Sequence, residues 1–551
     1  MTAAHTGTTV RDGNSDSRRG CEKIGSGTSQ PIESPKKTVA KFGARPIFSQ
    51  PLRRLWVFRL AAVVLGLSVF AALELICRAA GWGETQIGDD PLVGFASVRP
   101  LFEPTADGCG LHTSPARRGY FKEDSFAATK SADEFRIFVF GGSTVQGRPF
   151  SIETSFPTYL QIALEQADPS RRWKVINCGG VSYASYRLLP VMRECLSYEP
   201  DLFIFCGGHN QFLEHISFDD VRWSATVTGP LLATVSRLRT YRMLQRAIKG
   251  HGKSASESAA SSSGLRLLLP GEVDTILDHD GGLAKYHRDD EQAALIAQLF
   301  AENLRAMSAM SRQSGVPLLF ILPPSNLSNC PPFKSEFSAS TSTTDRNKVT
   351  SLLKQGHGLA AQEREHAASL LLEAADLDPR YAMTWYELGQ LQQVSGDFTA
   401  AEQSFIRARD EDVCSLRMTS SLESLLRDVA CEESVPLIDA HALLARRCSH
   451  HIAGGAALAD HVHPSFRSHE DIAIAITDWM LNSGLASKTN SSWKADTVHE
   501  CRARLQSLDD LYFLKGQRTL RSLKLWAAGR AAETPLVPST DAVETEPVPS
   551  R

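Results

Sequence analysis

Five short runs constrain this chain more than any other feature: Arg136–Phe140, Trp173–Asn177, Leu202–Cys206, Pro317–Leu322 and Val435–Ile438. Most are continuously apolar. A strand with one wet face alternates apolar and polar residues, so these need cover on both faces, as in a parallel sheet. Helical periods separate them, at Phe156–Gln166, Tyr186–Ser197, Glu291–Ser314 and Leu422–Cys431. A last helix, Ile472–Leu481, follows the fifth run, with Ser468 and Asp471 placed as its capping pair. This alternation predicts an α/β fold: a doubly wound, five-stranded parallel sheet in three α/β/α layers, joined by right-handed crossovers. In such sheets the functional groups gather at the carboxyl ends of the strands. Ser143, Gly179, Gly208 and Asn210 all stand just after a run.

At 551 residues the chain exceeds one compact core. The expected divisions are a disordered tail (1–54), a transmembrane helix (55–81), a linker and lead-in (82–134) and the α/β domain (135–485). The α/β domain carries a helical insertion (359–412), and C-terminal helices (486–532) and a disordered tail (533–551) follow it. The N-terminal tail is rich in Gly, Ser, Thr, Lys and Arg without an apolar period. Leu60–Leu73 carries no charge, and Trp56 and Trp82 flank it. On a helix those tryptophans stand roughly 39 Å apart, near the thickness of a bilayer with its headgroups. Glu74, near one end, is expected to reach the interface. Seven basic residues from Lys36 to Arg59 precede the segment, against Arg78 just after it. That asymmetry places the tail in the cytoplasm and the rest outside.

The net charge of −3 gives no reason to expect a nucleic-acid partner. Eleven cysteines include no Cys-x-x-Cys pair and no cluster at zinc spacing, so neither a metal nor another cofactor is expected. In an extracytoplasmic domain, Cys109, Cys330, Cys414, Cys431, Cys448 and Cys501 are candidates for disulfides, in a pairing the sequence leaves open. Cys178 and Cys206, at strand ends, read as buried thiols.

Two stretches interrupt the alternation. The first, from about Phe212 to Asp290, holds a basic helical stretch, Arg237–Lys249, and a Ser/Ala-rich loop, Ser254–Ser263. The second holds a repeat: Ala367, Leu371 and Ala374 recur thirty-four residues later as Ala401, Phe405 and Ala408. Pro379 follows the first set, and Trp385, Leu388 and Gly389 open the second. In period and residue types this resembles the tetratricopeptide repeat, which implies a platform for a protein partner. An ordinary helical hairpin is the alternative. About one and a half repeats are legible, so they must pack on neighbouring structure. Trp385 or Tyr386 is a candidate for the border of the cleft.

The chemistry lies in widely separated segments. Gly141-Gly142-Ser143-Thr144 ends the first run, and Asp460-His461-Val462-His463-Pro464 stands near the domain's end. A serine hydroxyl is inert until a histidine takes its proton, and a carboxylate must orient that histidine. Ser143 lies outside any Gly-x-Ser-x-Gly pattern, so the nucleophile elbow of the α/β-hydrolases is a poor match. A Gly-Gly-Ser-Thr stretch also serves as a plain strand-to-helix turn, and His461 and His469 compete with His463 as the base. His461 reads as a surface or supporting residue.

Four blocks in order resemble the SGNH (GDSL-type) hydrolase superfamily: Gly141–Thr144 with Gly147 behind it, Val175–Ser185, Gly207-Gly208-His209-Asn210-Gln211, and Asp460–Pro464. The resemblance covers roughly residues 135–481, less the insertions. It implies a flavodoxin-like three-layer fold, with Ser143 as nucleophile, His463 as general base and Asp460 orienting the imidazole. It also implies an oxyanion hole formed by the backbone N–H groups of Ser143 and Ser182 and the Asn210 side chain. Two positions depart from the pattern. Ser182 stands where the second block usually has glycine, and Gln211 where the third usually has an acid.

Pro323–Leu327 and Pro331–Glu336 are expected near the site, either walling the cleft and offering Lys334 to an anion or only fixing the entry into the insertion. The resulting expectation is a membrane-anchored, extracytoplasmic serine esterase acting on an acyl or acetyl ester, carbohydrate esters included. An O-acetyltransferase of a cell-envelope polysaccharide and an inactive repeat-bearing scaffold are the competing readings.

Overall fold

The computed structural model describes residues 51–83, 100–213 and 286–527, with positions 235, 238–244, 247 and 283 between them. The tail up to residue 50, the Ser/Ala-rich loop and the C-terminal tail lie outside the described residues. Two compact units divide the chain at Phe70.

Within the first unit the described chain is helix α1, Pro51–Ala79, which runs on across the boundary. Its stretch Trp56–Ala79 is the one helix among the described residues long and apolar enough to cross a membrane, with mean hydropathy 2.4. The helix stops three residues short of Trp82, so the two tryptophans are not joined by continuous helix. Glu74 does not reach outward as expected. It is buried in the second unit, where its carboxylate accepts from the backbone N–H groups of Arg239 and Thr240, each at 3.0 Å. Positions 239–244, within the expected basic stretch, are helical, and Glu74 meets that helix at its N-terminal end, where a carboxylate is favoured.

Past α1 the second unit holds a small antiparallel sheet, β1 (Phe102–Pro104), β2 (Gly110–Thr113) and β3 (Ser125–Ala127), in the segment read as linker and lead-in. The main sheet follows: β4 (Glu134–Gly141), β5 (Arg172–Gly179), β6 (Leu202–Cys206), β7 (Leu318–Leu322) and β8 (Leu437–Asp439). All pairings are parallel, in the order β5-β4-β6-β7-β8. The five apolar runs therefore form the five strands.

Alternate residues of β4 feed two cores. Phe138 and Phe140 join one, with the helices α4 (Ser185–Cys195), α5 (Asp290–Ser314) and α10 (Ser420–Glu432). Ile137 and Val139 join the other, with α3 (Phe156–Ala167), α11 (Ala440–Ala445), α12 (Phe466–Asn482) and α13 (Trp493–Gln506). Apolar cover on both faces is consistent with a three-layer α/β fold, and it is why the strands lack polar alternation. Helix α12 begins earlier than expected. Its cap is Ser465, whose side chain accepts from the Ser468 N–H, and not the Ser468–Asp471 pair.

Between β7 and α10 run α6 (Thr343–Leu359), α7 (Arg364–Leu377), α8 (Ala382–Ser395) and α9 (Phe398–Asp410), so helix begins sixteen residues ahead of the expected boundary. The six residues that recur at thirty-four-residue spacing are all buried. Gly389 lets α8 approach α9, because a Cβ there would stand 2.7 Å from the Phe405 ring.

The described cysteines expected to pair are free thiols. Cys330 and Cys414 are packed in an apolar cluster with Leu213 and Tyr286, so burial explains them without a bridge. Cys178 and Cys206 are buried as expected.

Candidate active site

The strand order changes direction beside β4: the chain passes from β4 to β5 on one side, then returns to β6 on the other. Loops at that switch point diverge and leave a crevice at the carboxyl edge. Ser143 opens the short helix α2 (Ser143–Gln146) directly after β4. Two glycines permit the approach. A Cβ on Gly141 would lie 2.2 Å from the Cys206 carbonyl, and one on Gly142 would lie 2.6 Å from the Asn210 amide nitrogen. The nucleophile candidate and Asn210 are thus held side by side.

From 320 residues away, His463 brings Nε2 to 2.7 Å from Ser143 Oγ. Its Nδ1 stands 2.6 Å from Asp460 Oδ2. With Nδ1–H donated to the carboxylate, Nε2 is left to accept the serine proton. Asp460 Oδ1 accepts from the N–H groups of Val462 (3.0 Å) and His463 (2.9 Å), so a tight turn fixes the carboxylate on its own histidine. Burial would raise the Asp460 carboxyl. The neighbouring imidazoles of His463 and His461 and these hydrogen bonds prevail, and hold it well below the usual carboxylate range.

The competing histidines have other surroundings. His461 is buried rather than on the surface, edge-on to Phe333, with Nδ1 3.4 Å from Asp460 Oδ1. Burial lowers its pKa to about 4, leaving it neutral at pH 7. His469 accepts the Phe156 N–H at 3.2 Å, and burial lowers its pKa to about 3. His209, beside Asn210, meets the Pro324 carbonyl through Nε2 at 2.9 Å and is likewise lowered to about 3 by burial. Among the described histidines, only His463 brings its ring to a serine hydroxyl and a carboxylate together. Asp460, His461 and His463 also have metal-ligand chemistry and lie close together. Asp460 spends its oxygens on three hydrogen bonds there, a pattern that suits an orienting carboxylate.

Both departures from the family pattern have local consequences. Ser182 has φ 62°, the left-handed region that glycine occupies without penalty. Ser182→Gly should therefore raise unfolding stability by ~0.5–1 kcal/mol, the strain relieved less the entropy glycine adds to the unfolded chain. Denaturant titration checks this, and a loss of stability would show that the serine side chain earns its place. Gln211 accepts from the Ser185 hydroxyl at 3.1 Å, while its buried amide nitrogen has no partner. Asn210 takes its support elsewhere: Nδ2 donates to the Tyr183 carbonyl at 3.1 Å. Its amide has no other hydrogen-bond acceptor among the described residues. Among the described residues, neither the Ser143 nor the Ser182 N–H has a backbone acceptor.

A cleft of about 670 Å³ opens beside the Asp460–Phe466 segment, lined by Phe150, Asn329, Leu458, Phe466, Leu520 and Lys524, among others. The last two belong to α14 (Asp510–Ala527), the final C-terminal helix. That helix is fastened next to the site. Phe150 packs on Phe466 at 4.5 Å, Tyr512 stacks on Phe150, and the Tyr512 hydroxyl lies 2.7 Å from Thr154 Oγ1. Nothing in the local sequence announced this role, because the aromatic partners lie more than three hundred residues apart. Lys334 is not offered to the cleft; its ammonium donates to the Tyr286 carbonyl. Trp385 and Tyr386 do not border the cleft either. The Trp385 indole N–H donates to the Pro379 carbonyl, and the Tyr386 hydroxyl to that of Ser328.

No protein-family model matches the chain, and no curated protein is significantly similar to it.

Proposed function

We propose that this protein is a membrane-anchored serine esterase of the SGNH type, with Ser143, His463 and Asp460 as its triad. The observation that carries the reading is the continuous line Asp460–His463–Ser143, with contacts of 2.6 and 2.7 Å, at the carboxyl edge of a parallel sheet. Ser143 Oγ attacks the ester carbonyl carbon as its proton passes to His463 Nε2. The C–O bond to the alcohol then breaks, and the imidazolium returns that proton to the leaving oxygen. Water, activated by the same imidazole, releases the acid and regenerates the serine. Asp460 offsets the imidazolium charge throughout.

The backbone N–H groups of Ser143 and Ser182 and the Asn210 amide supply donors for the oxyanion. A donor aimed at that developing charge contributes about 3 kcal/mol. Asn210→Ala should accordingly lower kcat by ~10²-fold with little change in KM, measured on a short p-nitrophenyl ester. A raised KM at unchanged kcat would assign Asn210 to substrate binding instead. Hydrolysis of that ester by the unmutated protein tests the activity itself. Adding a sugar acceptor and weighing the products separates hydrolysis from acyl transfer.

The apolar helix Trp56–Ala79 supports a single-pass anchor, and the basic residues ahead of it support a cytoplasmic N-terminus. Removing residues 1–70 leaves Glu74 with its partners and too few apolar residues to span a bilayer. The truncated protein should move from the membrane fraction to the soluble one and keep its esterase activity. Persistent sedimentation with membranes would contradict the anchor. The buried thirty-four-residue pattern of α7 to α9 supports a tetratricopeptide-like segment carried by the α/β domain.

A further inference from the structure

Behind the triad lies a second line of buried polar groups. It starts at Asn326, four residues past β7. Asn326 Nδ2 donates to the Asp460 carbonyl at 2.9 Å, and its backbone N–H donates to the His461 carbonyl at 2.8 Å. One residue therefore grips two successive peptide carbonyls, one on each side of the His461 Cα. Its Oδ1 accepts the Asn329 N–H at 3.0 Å, which closes a local turn. Its own carbonyl accepts from Arg417 Nη1 at 3.0 Å, and the same nitrogen reaches the Cys330 carbonyl at 2.7 Å.

Arg417 lies between α9 and α10, ninety-one residues away, with 2% of its side chain exposed, and its other arm faces Asp412 at 3.3 Å. Asp412 in turn accepts the N–H groups of Phe333 (2.8 Å), Lys334 (3.0 Å) and Cys414 (3.1 Å). The helical stretch adds two more ties: the Tyr386 hydroxyl and the Gln390 amide both donate to the Ser328 carbonyl. An enclosed ion pair is a poor device for stability, since desolvation offsets most of its attraction. A planar fork that fixes two carbonyls and a carboxylate is, by contrast, a good device for position.

We propose that Asn326 and Arg417 are positioning residues for the general base, holding the Asp460–His463 turn so that His463 Nε2 stays in register with Ser143 Oγ. The proposal rests on the esterase reading above. It also makes the segment from α8 to α10 part of the site's framework, where the sequence suggested a platform for a protein partner. Displacements near 1 Å are enough to cost a reaction about 10²-fold.

The test uses the full-length protein and two variants, Asn326→Ala and Arg417→Lys. Alanine removes the grip on Asp460, and lysine keeps the charge beside Asp412 but not the fork. Active-site titration with a fluorophosphonate counts the competent sites, and kcat and KM on a short ester are then expressed per titrated site. The expected result is a kcat per site lowered ~10-fold or more in both variants, with KM nearly unchanged. Fewer titratable sites or a lower melting temperature, with each remaining site turning over at the unmutated rate, would overturn the proposal and leave the network a structural role. An unmutated protein that titrates no site overturns the esterase reading, and this one with it.

Discussion

Ser143→Ala is expected to lower ester hydrolysis by ~10⁴-fold or more while thermal unfolding stays close to that of the unmutated protein. The side chain lost is one hydroxyl at the mouth of the crevice. Its side-chain partner is His463 Nε2. No packing is removed with it, and the short helix α2 keeps its backbone capping by Gly142 and Gly147. Loss of a hydrogen bond of that kind costs about 1 kcal/mol, small beside the loss of the nucleophile in the proposed mechanism. Activity near the unmutated rate would remove Ser143 from the mechanism.

Asp460→Asn should lower kcat by roughly 10³–10⁴-fold, with KM little altered. The amide is nearly isosteric, and its oxygen can still take the Val462 and His463 N–H groups. Its nitrogen then faces His463 Nδ1 as a donor, so the imidazole proton moves to Nε2, where it blocks proton transfer from Ser143. The imidazolium formed in the reaction also loses its counter-charge. The same carboxylate links pH to stability. Its folded pKa lies below the ordinary range, so its contribution is present above about pH 4 and is lost as the pH falls further. A variant with unchanged kcat would make Asp460 a structural acid only.

How much was legible in the sequence follows from where the signal resides. Most strands were legible because burial on both faces leaves a local mark, the apolar run; half-buried β8 was legible only in part, since Asp439 lies past the run that ends at Ile438. The antiparallel sheet β1–β3 was missed because its strands are three or four residues long and include Pro104 and Gly110. Ser143, Asp460, His463 and Asn210 stand out as candidates because each sits in a short block with its own spacing, and the fold brings them together. Asn326 and Arg417 carry no such mark. Arg417 reads locally as a surface arginine, and only the fold brings it against Asn326 and Asp412. The disulfide candidates failed for a related reason. Cys330, Cys414, Cys448 and Cys501 are buried and Cys109 and Cys431 exposed, a difference that a count of thiols does not carry.

The most direct test is fluorophosphonate labelling of the protein, followed by mass spectrometry of its peptides. Such a probe reacts with a serine only where a base activates it and an oxyanion hole receives the phosphoryl oxygen. The account predicts one adduct, on the peptide carrying Ser143, absent from Ser143→Ala and formed far more slowly in Asp460→Asn. No adduct on the folded protein, or an adduct on another serine that persists in Ser143→Ala, would contradict it.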